Sequence, residues 1–174
     1  VQGRVAVRIW GYMGGLGAQT GIFFGHNVPK ERVWVMDGIN GRFGLNKGGL
    51  PARLTGFYAF LNVEASVSFF FLASGGFQLY VGVGAFVNDS PFIGGTSVPG
   101  LAFPYFVGNV GVRIWGEILG GLVSAAAWGN LQFTGAIPPA FEGTIGLEGC
   151  VLWVLCGSVD ITCGYNRTDG FYMH

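Results

Sequence analysis

The sequence predicts an all-β protein, an antiparallel β-sandwich or a set of barrel-like sheets built from a duplicated β module. Three observations predict this class: apolar and polar residues alternate along most of the chain, a heptapeptide occurs twice, and glycine is very abundant. Alternation with a period of two is typical of a strand with one buried face. No stretch shows the 3.6-residue apolar stripe and the caps of an amphipathic helix.

The alternation indicates which face of each strand is buried. From Phe57 to Phe71 the odd positions are apolar, whereas the even positions are mixed. Val5, Val7 and Ile9 likewise share one face of an earlier strand, with Arg8 on the opposite face. We expect the apolar faces to pack between sheets as the protein core.

The duplicated heptapeptide reads Val-Ala-Val-Arg-Ile-Trp-Gly at residues 5–11 and Val-Gly-Val-Arg-Ile-Trp-Gly at residues 110–116. The anchors of this repeat are Arg8, Trp10, Gly11, Arg113, Trp115 and Gly116. We expect the two tryptophans to hold equivalent places against glycines of a neighbouring strand. The chain then divides into a first β unit at residues 1–80, a connector with additional strands at 81–109, and a second β unit at 110–174.

The first unit contains a segment that the second unit lacks, at about residues 26–47. It holds four of the nine Lys and Arg residues and the hairpin-turn dipeptides Asp37-Gly38 and Asn40-Gly41. We therefore expect a polar hairpin insertion that projects from the sheet into solvent. If the protein has a specific partner, this hairpin is where we expect it to bind.

Residues 66–87 form an apolar run that is long enough for a membrane-spanning helix. Its glycines and its many β-branched and aromatic residues favour a different structure, two strands joined near residues 73–76.

Glycine accounts for 33 of the 174 residues, far above the usual share of about 7%. Many of these glycines adjoin Trp, Tyr or Phe. Small residues beside large ones suit tightly curved or closely stacked sheets.

Charge is scarce and balanced, since charged residues make up 10% of the chain and the formal net charge is zero. The basic residues are scattered, which argues against a nucleic-acid partner because phosphate binding needs a basic patch. Zero net charge also removes the repulsion that keeps monomers apart, so we expect self-association.

Residues suited to catalysis are few. The two histidines, His26 and His174, lie in no triad or metal-ligand spacing. We therefore predict no catalytic residue, no metal site, no cofactor and no enzymatic activity. Glu142 and Glu148 share a strand face, but six residues of extended strand separate them by about 20 Å. We expect them to be solvated carboxylates on the outer face.

Three cysteines lie in the second unit. A turn within residues 151–155, or a hairpin near Gly157, would bring one pair together, and Cys150 with Cys156 is the candidate disulfide in an oxidising compartment. Asn166 begins an Asn-Arg-Thr tripeptide and is a candidate N-glycosylation site, which would make the chain a glycoprotein.

These features favour an extracellular or cell-surface structural protein that self-associates into a fibril or ordered array through β-sheet packing. Its partner would be another copy of itself, in a homo-oligomer or filament, with glycans as a further partner. The first alternative is an outer-membrane β-barrel, in which the membrane becomes a partner. The second is a β module that binds a lipid or glycan on aromatic-lined sheets, with Trp34, Trp128 and Trp153 as candidates.

Overall fold

The structure is a computed structural model that describes residues 1–11, 13–39, 42–47, 50–88, 92–93, 96–97, 103–135, 140–166 and 170–174. These residues form strands and two short 3₁₀ turns, with no α-helix among them, so the all-β prediction is confirmed. The strands in chain order are β1 (Gln2–Gly11), β2 (Gly14–Pro29), β3 (Arg53–Phe69), β4 (Ala73–Asn88), β5 (Phe92–Ile93), β6 (Thr96–Ser97), β7 (Phe103–Ile118), β8 (Val123–Thr134), β9 (Ala140–Val151), β10 (Leu155–Asn166) and β11 (Gly170–Met173).

Nine strands form one antiparallel sheet in the order β1-β2-β3-β4-β7-β8-β9-β10-β11, while β5 and β6 pair only with each other. Each strand of the large sheet therefore lies beside the next large strand in the chain. β1 and β11 are its edges, so the sheet is not closed. The described residues do not form the two packed sheets of the expected sandwich.

Because neighbouring strands run in opposite directions, four tight turns lie together at one end of the sheet, here named the turn end. It consists of Met13, residues 70–72, residues 119–122 and residues 152–154. The longer connections lie at the opposite end, here named the loop end. The apolar run at 66–87 is two strands, as predicted, although the turn between them comes at residues 70–72 rather than 73–76.

The two faces of the sheet are buried in the opposite sense to the prediction. Tyr58, Phe60 and Asn62 are at most 2% exposed, whereas Leu61 between them is 51% exposed and Phe57 is 40% exposed. The expectation that the apolar face packs between sheets is therefore wrong. We name the polar and aromatic face the inner face and the apolar face the outer face.

Part of the inner face is covered by residues 30–39 and 42–47, together named the inner segment. Its apolar side chains are almost completely buried in the same core as the aromatic residues of β3 and β4, and they are Val33, Val35, Met36, Ile39, Phe43 and Leu45. Two 3₁₀ turns, at Lys30–Arg32 and Trp34–Asp37, replace the expected hairpin, while Asn40 and Gly41 lie outside the described residues. The prediction of a polar insertion that faces solvent is thus wrong. The segment lies against the sheet because its apolar side chains are buried there.

Contacts of the inner segment show that the sheet is curled. Nη2 of Arg4 on β1 donates to the Gly38 carbonyl at 3.0 Å, and Arg42 forms a 3.0 Å ion pair with Glu148 on β9. Those strands lie six spacings apart in the sheet order, about 29 Å on a flat sheet. Ile39 and Arg42 form a β-bridge, so the two residues that make these contacts, Gly38 and Arg42, lie close together. The sheet therefore wraps around the inner segment.

Candidate functional site

The outer face is the most unusual surface of the protein because it is almost free of charge. Among the described outward positions of the large sheet, Arg53 is the one Lys, Arg, Asp or Glu, and it is the first residue of β3 at the loop end. The other outward positions are mainly aliphatic residues, phenylalanine, alanine and glycine. Exposed aliphatic side chains on this face include Val5, Ile9, Ile114, Ile145 and Leu155.

The area of this apolar surface is far beyond that of a soluble monomer. Most of its large side chains are exposed, for example 51% for Leu61 and 79% for Phe171, whereas Val63, Val87 and Tyr165 are partly buried. Together they present roughly 3,000 Å², against about 300–600 Å² for the largest apolar patch of a typical soluble monomer. An exposed apolar surface of this size marks a site of contact with another protein or with a membrane.

Aromatic side chains border the outer face at the loop end. They occupy two adjacent rows of the strand register and are Phe24, Phe57, Phe106, Phe133, Phe141, Tyr165 and Phe171. Ring contacts link some of them, with centroid distances of 6.0 Å for Phe24 and Phe57 and 4.9 Å for Tyr165 and Phe171. The aromatic residues thus form a band along the loop end that has no member on β1 or β4.

The length of the apolar band between the two ends allows a comparison with the thickness of a bilayer core. On β3 it extends from Phe57 to Phe69 at the turn end, which is about 40 Å along the strand. At a strand tilt of about 40°, this length corresponds to a height of about 30 Å. The hydrocarbon core of a bilayer is also about 30 Å thick.

Most charged groups of the large sheet lie on the inner face, where two ion pairs link β1 to β3 and β7 to β9. Arg8 on β1 forms an ion pair with Glu64 on β3 at 3.3 Å. Glu148 on β9 forms ion pairs with Arg113 of β7, at 2.6 Å, and with Arg42 of the inner segment. Glu142 accepts a 2.8 Å hydrogen bond from the Tyr172 hydroxyl. The expectation that Glu142 and Glu148 are solvated on the outer face is therefore wrong.

A buried polar network fixes the inner segment to the sheet. The Tyr58 hydroxyl donates to Asn109 Oδ1 at 2.9 Å and accepts from the Tyr80 hydroxyl at 2.9 Å. Asn109 Nδ2 in turn donates to the Phe43 carbonyl at 2.5 Å. Asn109 is 1% exposed, so these bonds satisfy groups that have no access to water.

Glycines on the inner face make room for rings. A Cβ atom at Gly111 would lie 2.1 Å from Phe43, and one at Gly146 would lie 2.3 Å from Trp128. The glycine-beside-aromatic pattern is therefore used for close approach of rings to the backbone, as the curvature of the sheet requires.

Space remains inside the curled sheet beyond the inner segment. A cavity of about 600 Å³ lies between the inner segment and β8–β10, and Asp37, Glu142, Thr144 and Asp160 are among its lining residues. A second cavity, of about 540 Å³, lies nearer the turn end, where Arg113 is among its lining residues. Both cavities are thus lined by polar and charged side chains together with apolar ones.

The repeat anchors lie on β1 and β7, an edge strand and a central strand. Trp10 packs over Gly15 of the following strand, whereas Trp115 packs over Gly76 of the preceding strand. Trp10 is 67% exposed. Each ring thus covers a neighbouring glycine, but on opposite sides of its own strand. Gly11 and Gly116 are outward positions near the turn end.

The remaining sequence candidates lie apart from one another. Cys150 and Cys156 face each other on β9 and β10 with Cα atoms 4.1 Å apart and form a disulfide, while Cys163 is free and exposed on the outer face. Asn166 is the last residue of β10, and the rest of its tripeptide lies outside the described residues. The three tryptophans proposed for ligand binding do not share a surface: Trp34 lies under Arg4, Trp128 lies over a glycine, and Trp153 is at the turn end.

Sequence reasoning missed the outer face as a functional surface. Within the described residues, no helix has the length and apolar character needed to cross a membrane, and no cluster of three or more His, Cys, Asp and Glu could hold a metal ion. Comparisons with protein-family models, curated proteins and solved structures found no match to this chain.

Proposed function

We propose that this protein is a membrane-embedded β-barrel of the outer-membrane type, the first of the two alternatives raised by the sequence. The observation that carries the proposal is the distribution of charge across the curled sheet. Its outer face is apolar, exposed and bordered by aromatic side chains, whereas most of the sheet's charged groups are on the inner face. This is the pattern of a barrel whose outside faces lipid.

The energetic scale supports lipid as the surrounding medium. At about 25 cal/mol per Å², keeping roughly 3,000 Å² of apolar surface in water forgoes about 75 kcal/mol. Net stabilities of folded proteins are only about 5–15 kcal/mol. A bilayer removes this surface from water.

The proposal has a requirement at the sheet edges. In a bilayer each unpaired backbone group costs several kcal/mol, so spanning sheets must close. β11 covers only the loop end of β10, and β1 runs antiparallel to β10. The proposal therefore requires β1 to pair, in lipid, with the edge that β10 and β11 present.

The interior suggests a filled barrel rather than an open channel. The inner segment is packed against β3, β4 and β7 through the buried network of Tyr58, Tyr80 and Asn109. We assign the inner segment the role of a plug that stabilises the barrel from inside.

We keep the duplicated module as a hypothesis within this proposal. Each heptapeptide lies on the first strand of a four-stranded meander, β1–β4 or β7–β10. Each meander also has an arginine on its first strand that pairs with a glutamate on its third, Arg8 with Glu64 and Arg113 with Glu148.

Cys163 provides a direct test because it is free, exposed and on the outer face. A polarity-sensitive fluorophore attached to Cys163 should emit at shorter wavelength after reconstitution into phosphatidylcholine vesicles. It should also be quenched by lipids that carry a nitroxide on the acyl chain. The protein should float with the vesicles in a density gradient.

The matched control moves the label by one residue, in the double variant Thr162→Cys/Cys163→Ser. Thr162 is on the inner face, where its hydroxyl contacts that of Thr144. A label at this position should be quenched much less by the nitroxide lipids. Equal quenching at the two positions, or none at either, would contradict the proposal.

The self-assembling fibril predicted from sequence remains the second candidate, and the two unpaired edge strands favour it. Edges such as β1 are templates for pairing with another chain. Filaments that form in water, exclude vesicles and leave the Cys163 label unquenched would support the fibril over the barrel.

A further inference from the structure

The turn end of the sheet is apolar throughout its described residues. Four of its side chains are more than two thirds exposed: Phe70 (70%), Phe71 (77%), Trp153 (67%) and Val154 (81%). Met13, Leu72, Leu119 and Leu152 are each more than half exposed. Tight turns that face water are usually built from Gly, Asn, Asp, Ser and Pro.

Several of these apolar turn residues have a left-handed backbone conformation. Phe70, Leu119, Leu152 and Trp153 all have positive φ angles, of 49°, 53°, 55° and 57°. Side chains of this size rarely adopt the left-handed region, which favours Gly and Asn. Bulky apolar residues therefore occupy positions where they strain the backbone. Contact of their side chains with an apolar environment would offset that strain.

Three backbone hydrogen bonds link the turns to neighbouring hairpins. The Leu119 amide donates to the Leu72 carbonyl at 2.8 Å, and the Leu152 amide donates to the Leu122 carbonyl at 2.6 Å. At the first turn, the Ser68 amide donates to Met13 at 2.9 Å. Adjacent hairpins are thus linked at their tips, which lowers the need for water at this end.

We propose that the turn end is buried in the membrane, at the boundary between acyl chains and headgroups of one leaflet, and does not project into water beyond it. This inference rests on the proposed barrel, since the turns continue the apolar outer face. The occupant is lipid because the tips carry no charge among their described residues, whereas Trp and Phe side chains suit the interfacial region. In this inference the opposite end of the sheet, the loop end where Arg53 lies, projects into water.

The test uses reaction with a charged maleimide that does not enter membranes. Phe71→Cys and Val154→Cys, each combined with Cys163→Ser, place a thiol at the turn end. Arg53→Cys in the same background places a thiol on β3 at the loop end. Each variant is reconstituted in phosphatidylcholine nanodiscs at one chain per disc, which leaves both sides of the bilayer accessible and excludes a second copy as the cause of protection.

The turn-end thiols should react about tenfold or more slowly than the thiol at position 53 in the discs. All three should react at the same rate after unfolding in detergent and urea. Two turn-end variants are used so that a folding defect in one does not decide the result.

The outcomes separate this inference from the proposal on which it rests. Lipid quenching of the Cys163 label together with fast reaction at positions 71 and 154 would overturn the burial of the turn end and leave the barrel intact. Absence of quenching at Cys163 would overturn both. Quenching at Cys163 with slow turn-end reaction supports both.

Discussion

Introducing a charge at the centre of the outer face is the perturbation with the largest expected effect. Leu79 lies on β4, is 42% exposed, and stands in register between Val63 and Val112. Val63 is midway between Phe57 and Phe69 on β3, so Leu79 is at the mid-height of the apolar band. Leu79→Arg therefore places a guanidinium at the bilayer midplane of the proposed barrel.

The expected destabilisation follows from the depth of the position. Arginine on the lipid face of a barrel costs about 2–4 kcal/mol at the midplane and about 0–1 kcal/mol near the interface. The matched control is Val87→Arg on the same strand, which is about 26 Å further along toward the loop end and beyond the row that contains Phe57. In water, both positions would tolerate arginine within about 0.5 kcal/mol.

The assay is urea titration of folding in phosphatidylcholine vesicles, followed by tryptophan fluorescence. We expect Leu79→Arg to lower the free energy of unfolding by about 2–4 kcal/mol and Val87→Arg by less than about 1 kcal/mol. Losses below about 1 kcal/mol for both variants would refute the reasoning, because the outer face would then not face lipid.

Two further predictions concern the inner face. Gly111→Ala should destabilise the fold by about 1–3 kcal/mol because the new methyl would overlap Phe43, whereas Gly108→Ala on the outer face of β7 has its nearest atom at 3.7 Å and should be nearly neutral in the same titration. Equal effects would contradict the packing described. Asn109→Leu should cost about 1–3 kcal/mol because it removes the donor to the Phe43 carbonyl and the acceptor for the Tyr58 hydroxyl proton, and chemical denaturation showing no loss would exclude the buried network.

The strands were predictable from the sequence because the alternation of residues is a direct consequence of strand geometry. Which face of the sheet is buried in the protein was not predictable, since the alternation is the same whether the apolar face contacts a protein core or lipid. The signal that could have indicated lipid is the distribution of charge. On β7, for example, Arg113 and Glu117 share the parity of Asn109, and the opposite parity carries no charge.

The inner segment was misjudged because its charges were weighed more heavily than its apolar residues. Val33, Val35 and Met36 are completely buried, while the Lys30 ammonium donates to the carbonyl groups of Lys47 and Leu50. A local count of charges cannot reveal that a curled sheet will supply the surroundings for a segment. The candidate site, which is a whole face of the sheet, becomes visible only with the strand register.

The most direct test of the central claim is a nitroxide scan of β10 in phosphatidylcholine bilayers over residues 158–163. The native Cys163 is replaced by serine, except when position 163 is itself labelled. Collision rates with oxygen, which concentrates in lipid, and with a water-soluble nickel chelate are measured at each position. Val159, Ile161 and Cys163 should favour oxygen, and the inner-face positions 158, 160 and 162 should not. A scan without this two-residue period, or one with the reverse phase, would contradict the claim that the apolar face of the sheet meets lipid.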